Sequence, residues 1–304
     1  MAYSIKHPSA DLTRSLRRIA TSQIEAGLED IEDPGLSRAE SIHQARKRCK
    51  KLRGLIRLVR PGFADYSEEN KAFRDLGRLL SDTRDATASI ETLDALETRF
   101  EAAMAGDIFS AVRKALTARL EALDDSEIAD RLETMRKGLA KAAKRVPDWE
   151  VEGDDAAILA DGIAKTHGRA VEAMHTAADT GRADDFHEWR KRVKYHWYHL
   201  RLLKRTWPEL FESWVAAADR LSDDLGDHHD LAVFRSETLP DIDAGSETSR
   251  EALEGLMRAE QARLESESLA RGQLLFAEAP EAAGARLASY WQAWREPLVP
   301  ASGQ

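Results

Sequence analysis

Two runs of basic residues, both at helical spacing, constrain this chain more than anything else in it. Residues 42–60 hold Arg46, Lys47, Arg48, Lys50, Lys51, Arg53, Arg57 and Arg60 and no acid. Residues 186–205 hold seven Lys or Arg against Glu188 alone. The whole chain carries a formal charge of −9, so everything outside the two runs sums to −23. On a helix, at about 100° per residue, His43, Arg46, Lys47, Lys50 and Arg57 share one stripe. Ala45, Cys49, Leu52, Ile56 and Val59 fall opposite. In the second run His187, Arg190, Lys191, Lys194 and Arg201 form the stripe, while Trp189, Val193, His196, Leu200 and Leu203 form its back. Each run therefore predicts a helix that buries one side and presents a cationic face on the other.

The rest of the sequence reads as helix too. Ala, Leu, Glu and Arg dominate, and apolar residues recur at three and four, as in Ile90, Leu93, Leu96 and Phe100. No alternating β-branched run flanked by turn signals occurs. Helix breaks are expected at Asp33-Pro34-Gly35, Pro61-Gly62, Pro147, Gly181, Pro208, Pro240 to Gly245 and Pro280. Long helices joined by short connections imply antiparallel bundle packing. The segment from Val146 to Gly153 is the expected linker between halves.

The two basic runs are related. At an offset of 144, His43 falls on His187, Arg46 on Arg190, Lys47 on Lys191, Lys50 on Lys194 and Arg57 on Arg201. A second stretch, Leu76 to Asp85, matches Leu221 to Asp230 at an offset of 145, with Asp82 on Asp227 and Asp85 on Asp230. Two motifs repeated in order at nearly one offset predict a tandem duplication. The expected fold is all-α, with two pseudo-symmetric helical bundles, residues 1–147 and 148–304, forming one domain around a central basic channel.

A cationic face is costly alone, because like charges at i,i+3 and i,i+4 repel. A single such run is most simply a solvated helix face. Duplication and the near-absence of acids argue instead for an anionic ligand between two facing stripes, where the potential is focused. Arg supplies bidentate geometry to phosphate and Lys a point charge. The candidate contacts are His43, Arg46, Lys47, Lys50, Lys51, Arg53 and Arg57, with His187, Arg190, Lys191, Lys194 and Arg201. Asp82, Asp85, Asp227 and Asp230 are expected to orient the stripes' arginines, and Arg84 and His229, between those acids, to add to the anion site. His196 is expected in the core, and Cys49 to be buried.

The same residues resemble the CHAD family, the conserved histidine α-helical domain. His43-Gln44-Ala45-Arg46 through Leu52-Arg53 resembles its first copy, and His187-Glu188-Trp189-Arg190 through Leu200-Arg201-Leu202-Leu203 its second. The later element, Leu-Gly-x-x-(Arg/His)-Asp, is matched by Arg84-Asp85 and by Leu225-Gly226-Asp227-His228-His229-Asp230. Ser81 and Trp197 depart from the pattern; Trp197 stands where the first copy has Arg53. The resemblance implies binding of inorganic polyphosphate in a bacterial protein associated with polyphosphate granules, where granule proteins are further partners. It implies no cofactor and no catalysis. The Glu-x-Glu-x-Lys signature of the triphosphate tunnel enzymes, which accompany some relatives, is absent.

Other classes are weaker on sequence. One cysteine allows no internal disulfide and no Cys-based zinc cluster. The first residues lack an apolar secretory core and no stretch reaches the length of a membrane span, so a cytoplasmic location is expected and a membrane partner is not. A metal-dependent phosphohydrolase would draw on His228-His229-Asp230 with His187 and Asp227, but the aligned Thr83-Arg84-Asp85 makes poor ligands. A nucleic-acid binder would use the same stripes, which an enclosed channel would deny to a duplex.

Overall fold

The protein is described by a computed structural model covering residues 3–6, 11–79, 81–100, 108–121, 125–241 and 247–296. Among these residues every regular element is helical. The α-helices are α1 (Leu12–Glu32), α2 (Arg38–Leu58), α3 (Tyr66–Arg78), α4 (Ser81–Phe100), α5 (Ile108–Glu121), α6 (Asp125–Arg145), α7 (Asp155–Thr180), α8 (Ala183–Leu203), α9 (Pro208–Val233), α10 (Glu247–Leu275) and α11 (Pro280–Arg295). Helices end or begin at the expected breaks at 33–35, 61–62, 147, 181, 208 and 280; most of the break expected at Pro240 to Gly245 lies outside the described residues. Local chemistry fixes these ends. Ser37 and Glu40 form a reciprocal capping box at the start of α2. Asp154 caps α7 through the Ala157 amide. Pro208 and Pro280 begin α9 and α11, where the missing N–H costs nothing.

Around the two basic helices the neighbours are similar in order. Helix α2 lies between α1 and α3, and α6 backs α1. Helix α8 lies between α7 and α9, with α11 along α7 and α10 along α9. The apolar backs of α2 and α8 supply much of the interior. Ala45, Cys49, Leu52 and Ile56 join the largest core, which also takes in Leu200 and Leu203 of α8 and Leu287 and Trp291 of α11. Trp189 and Val193 enter a second core with Leu221, Leu225 and Phe276. A third lies between α4, α5, α9 and α10. Because the largest core draws on both ends of the sequence, α2 and α8 are pressed against each other.

The segment expected to be a linker is instead built into the fold. Trp149 is 1% exposed, with its ring 5.3 Å from that of Phe63 and 6.2 Å from that of Phe73. Arg17 Nε donates to the Trp149 carbonyl at 2.7 Å, the Val151 amide donates to Thr13 Oγ1 at 2.9 Å, and the Glu152 amide donates to the Gly62 carbonyl at 2.9 Å. This stretch packs with α1 and the α2–α3 turn.

Candidate anion-binding site

Helices α2 and α8 cross at Gly54 and Tyr198. A Cβ on Gly54 would lie 2.8–3.0 Å from Tyr198 Cδ2, Cβ and Cγ, so only a residue without a side chain permits this approach. His199 Nε2 donates to the Gly54 carbonyl at 3.1 Å. That bond places the ring proton on Nε2, and burial followed by repulsion from Arg60 holds the ring neutral, with its pKa lowered to about 3. His199 is thus a strut of the crossing. His196 sits in the core as expected, its ring 5.5 Å from His167 and 5.1 Å from Phe276. Cys49 is buried, and burial pushes its thiol up to about 12.

From this crossing the cationic side chains come together in three places. On one side Arg53 Nε and Arg57 Nη2 both donate to Asn70 Oδ1, each at 3.2 Å. The Arg57 guanidinium lies 4.2 Å from the Tyr195 ring centroid, and that of Arg53 lies 5.7 Å from it. On the other side Tyr3 donates from its hydroxyl to the Lys51 carbonyl at 2.7 Å, and its ring lies under both Lys51 Nζ (5.8 Å) and Arg201 (5.9 Å). Trp197 holds Lys194 Nζ at 4.0 Å and Arg201 at 4.5 Å from its ring. Burial, then Arg48, Arg201 and Lys47, lower Lys51 to about 8. Several of these cations are therefore positioned by an amide and by aromatic faces, which orient charge without cancelling it.

The third place is the start of α8. His187 and His229 stack with ring centroids 3.7 Å apart. Burial, followed by Lys191, Arg190 and Lys50, holds His187 down at about 4. Burial and then His187, Arg190 and Lys191 hold His229 at about 3. Both rings are therefore neutral near pH 7, the state in which each can donate a single hydrogen bond. Arg190 lies flat on α9, its Nη2 3.1 Å from the point a Cβ on Gly226 would occupy. That contact gives a physical reason for the glycine in Leu225-Gly226.

Among the described residues the Asp219 carboxylate lies 3.6 Å from Lys194 Nζ. Asp227 is pushed up to about 6 by loss of hydration, then by Asp230, Asp223 and Asp224, with Arg190 only partly offsetting them. His229 meets His187 by stacking. Lys191 is partly neutralised by Glu188 at 3.1 Å, and Arg192 also pairs with Glu188. His43, Arg46, Lys47 and Lys50 lie along the exposed and half-buried side of α2. Asp82, Arg84 and Asp85 fall on the start of α4, and their side chains lie outside the described residues. His228 is turned away from His229: its Nε2 meets Glu265 Oε1 at 2.9 Å and its ring packs on Phe186. Among the described residues no group of three or more His, Cys, Asp or Glu is placed to hold a metal ion.

The family model of the CHAD domain matches residues 19–238. The chain belongs to the CHAD family. The fold is similar to a crystal structure of the CHAD domain from the plant Ricinus communis, at 15% sequence identity, covering 91% of this chain and 94% of that one with a TM-score of 0.52. No curated protein matches the sequence. The matched span includes both basic helices and ends beyond α9, so the α2–α8 crossing lies within the CHAD domain. No helix is long and apolar enough to cross a membrane among the described residues.

Proposed function

We propose that this CHAD protein binds inorganic polyphosphate along the adjoining cationic faces of α2 and α8, without catalysing a reaction on it. The observation that carries this reading is the company the cations keep. Arg53 and Arg57 share a neutral amide, Asn70, while Lys51 and Arg201 lie against Tyr3 and Trp197. Guanidinium and ammonium groups fixed this way retain their positive field and offer spare donors to successive phosphates. A linear polyanion matches a row of such groups, since each phosphate meets another cation in turn. The internal duplication, the granule association and further granule proteins as partners belong to this same reading.

The test is a titration with long-chain polyphosphate, comparing the wild-type chain with Lys50→Glu/Lys194→Glu. The double reversal is expected to remove binding while leaving the fold intact by circular dichroism. Equal affinity in both proteins overturns the proposal.

A further inference from the structure

A cavity of about 470 Å³ opens beside α1, the amino-terminal segment and the turn at 146–148, away from the α2–α8 crossing. Lys6, Arg17, Arg18, Thr21 and Ser22 line it, with Glu25 as its one acid. Arg17 is committed to the fold, donating to the Trp149 carbonyl and lying 3.5 Å from Glu150. Arg18 is different. Its Nη2 donates to the Ser4 carbonyl at 2.7 Å, which holds the guanidinium in place and leaves its charge uncancelled. Burial, and then the charge of Arg205, lower its pKa.

Arg205 ties the cavity to the basic helices. It stands one turn past Arg201 and close to the same face, in the short 3₁₀ turn Lys204–Thr206 that ends α8. The amino-terminal segment follows the same route. Tyr3 lies under Lys51 and Arg201, the Ile5 amide donates to the Leu202 carbonyl at 2.9 Å, and Lys6 reaches the cavity. The amino-terminal segment thus joins the Arg201 side of α8 to the cations of the cavity, and Arg205 follows Arg201 on that side. Three cations, Lys6, Arg17 and Arg18, line the cavity against the one acid Glu25, a balance that favours an anion there.

We propose that this cavity is a second anion subsite, which takes phosphate groups of a polyphosphate chain that extends beyond the stretch held by α2 and α8. The inference rests on the polyphosphate reading. It assigns the cavity a role in chain length: a short oligomer fills the crossing alone, and a long chain also engages Arg205, Arg18 and Lys6.

The experiment compares tripolyphosphate with long-chain polyphosphate on three proteins: the wild type, Lys6→Glu/Arg18→Glu and Lys50→Glu/Lys194→Glu. For the cavity variant, long-chain affinity is expected to fall about tenfold or more while tripolyphosphate binds as in the wild type. Its slope of log affinity against log salt should flatten by about 1.4, since each lost phosphate contact on a flexible polyanion removes roughly 0.7. Because Arg18 anchors Ser4, the exposed Arg205→Glu variant is measured in parallel and is expected to show the same selective loss with an unchanged melting temperature. Long-chain affinity and salt slope equal to wild type in both variants overturn the subsite and leave the crossing site standing. An equal loss of tripolyphosphate binding overturns it too, by assigning these residues to the fold. A wild-type chain that binds neither probe removes the polyphosphate reading itself.

Discussion

Asn70 sits between two guanidinium groups, and its neutrality separates binding from stability. Asn70→Asp would give Arg53 and Arg57 a charged acceptor in place of an amide. Charge-assisted hydrogen bonds are stronger than neutral ones, so the melting temperature is expected to hold or rise. Polyphosphate affinity is expected to fall about tenfold, which corresponds to about 1.4 kcal/mol, because the new carboxylate competes with phosphate. A calorimetric titration beside a thermal melt checks both; a variant that gains affinity contradicts the site. Ionisation offers a second measure. Lys51, lowered to about 8 by burial and neighbouring cations, gives up its proton as pH rises through that value. Affinity at constant salt is therefore expected to decline above about pH 8, and Lys51→Met should lose that step. His187 and His229 lie on the other side of neutrality, held at about 4 and about 3. A histidine neutral in the fold and ordinary when unfolded favours the fold above its unfolded value of about 6.5. That contribution is lost as pH falls from there toward about 4. Ring-nitrogen NMR is expected to show both histidines neutral at pH 7 in the free protein, with titration moving to higher pH when polyphosphate is added. Free-state titration near the ordinary histidine value would contradict the stacked, desolvated pair.

At the scale of the element, the α2–α8 crossing is the feature most exposed to substitution. Gly54→Val places methyl groups where Tyr198 already stands, and overpacking of this kind costs about 1–3 kcal/mol. A lower melting temperature and weaker binding are expected together, because the basic faces are set by the same crossing; an unchanged melt would mean that the helices are not in contact there. Helices were legible in the sequence wherever the period of apolar residues was clean and a Pro or Gly closed it, as at Pro61-Gly62, Gly181 and Pro280. The division between α3 and α4 was not, because Leu76 to Asp85 aligns with Leu221 to Asp230, which runs unbroken inside α9. Trp149 was hidden for the opposite reason: polar, Pro- and Gly-marked neighbours disguise a residue that tertiary packing buries. The basic faces were readable because their chemistry repeats along one helix. Tyr3, Asn70 and Asp219, which orient those faces, come from separate elements and carry no periodic signal. The crossing of Gly54 with Tyr198 was not legible at all, because neither residue belongs to the charged stripe or to its apolar back.

At the scale of the whole molecule, charge is segregated: an acidic chain carries its two basic helices side by side. Binding that rests on such a site should weaken steeply with salt. Ligand that recognises only the folded state also raises the melting temperature. Long-chain polyphosphate is expected to raise it well beyond the shift given by the same concentration of phosphate units as orthophosphate, and equal shifts would deny a multi-contact site. The clasp between Gly54, Tyr198 and His199 has one more consequence. Helices clasped near their carboxyl-terminal ends and sharing one core are held at a set distance there, so the spacing of their charges acts as a fixed template. The guest must do the bending. A supple chain of phosphates can bring its units to each cation in sequence, whereas duplex DNA, stiff over about 150 base pairs, can touch such a template only along its edge.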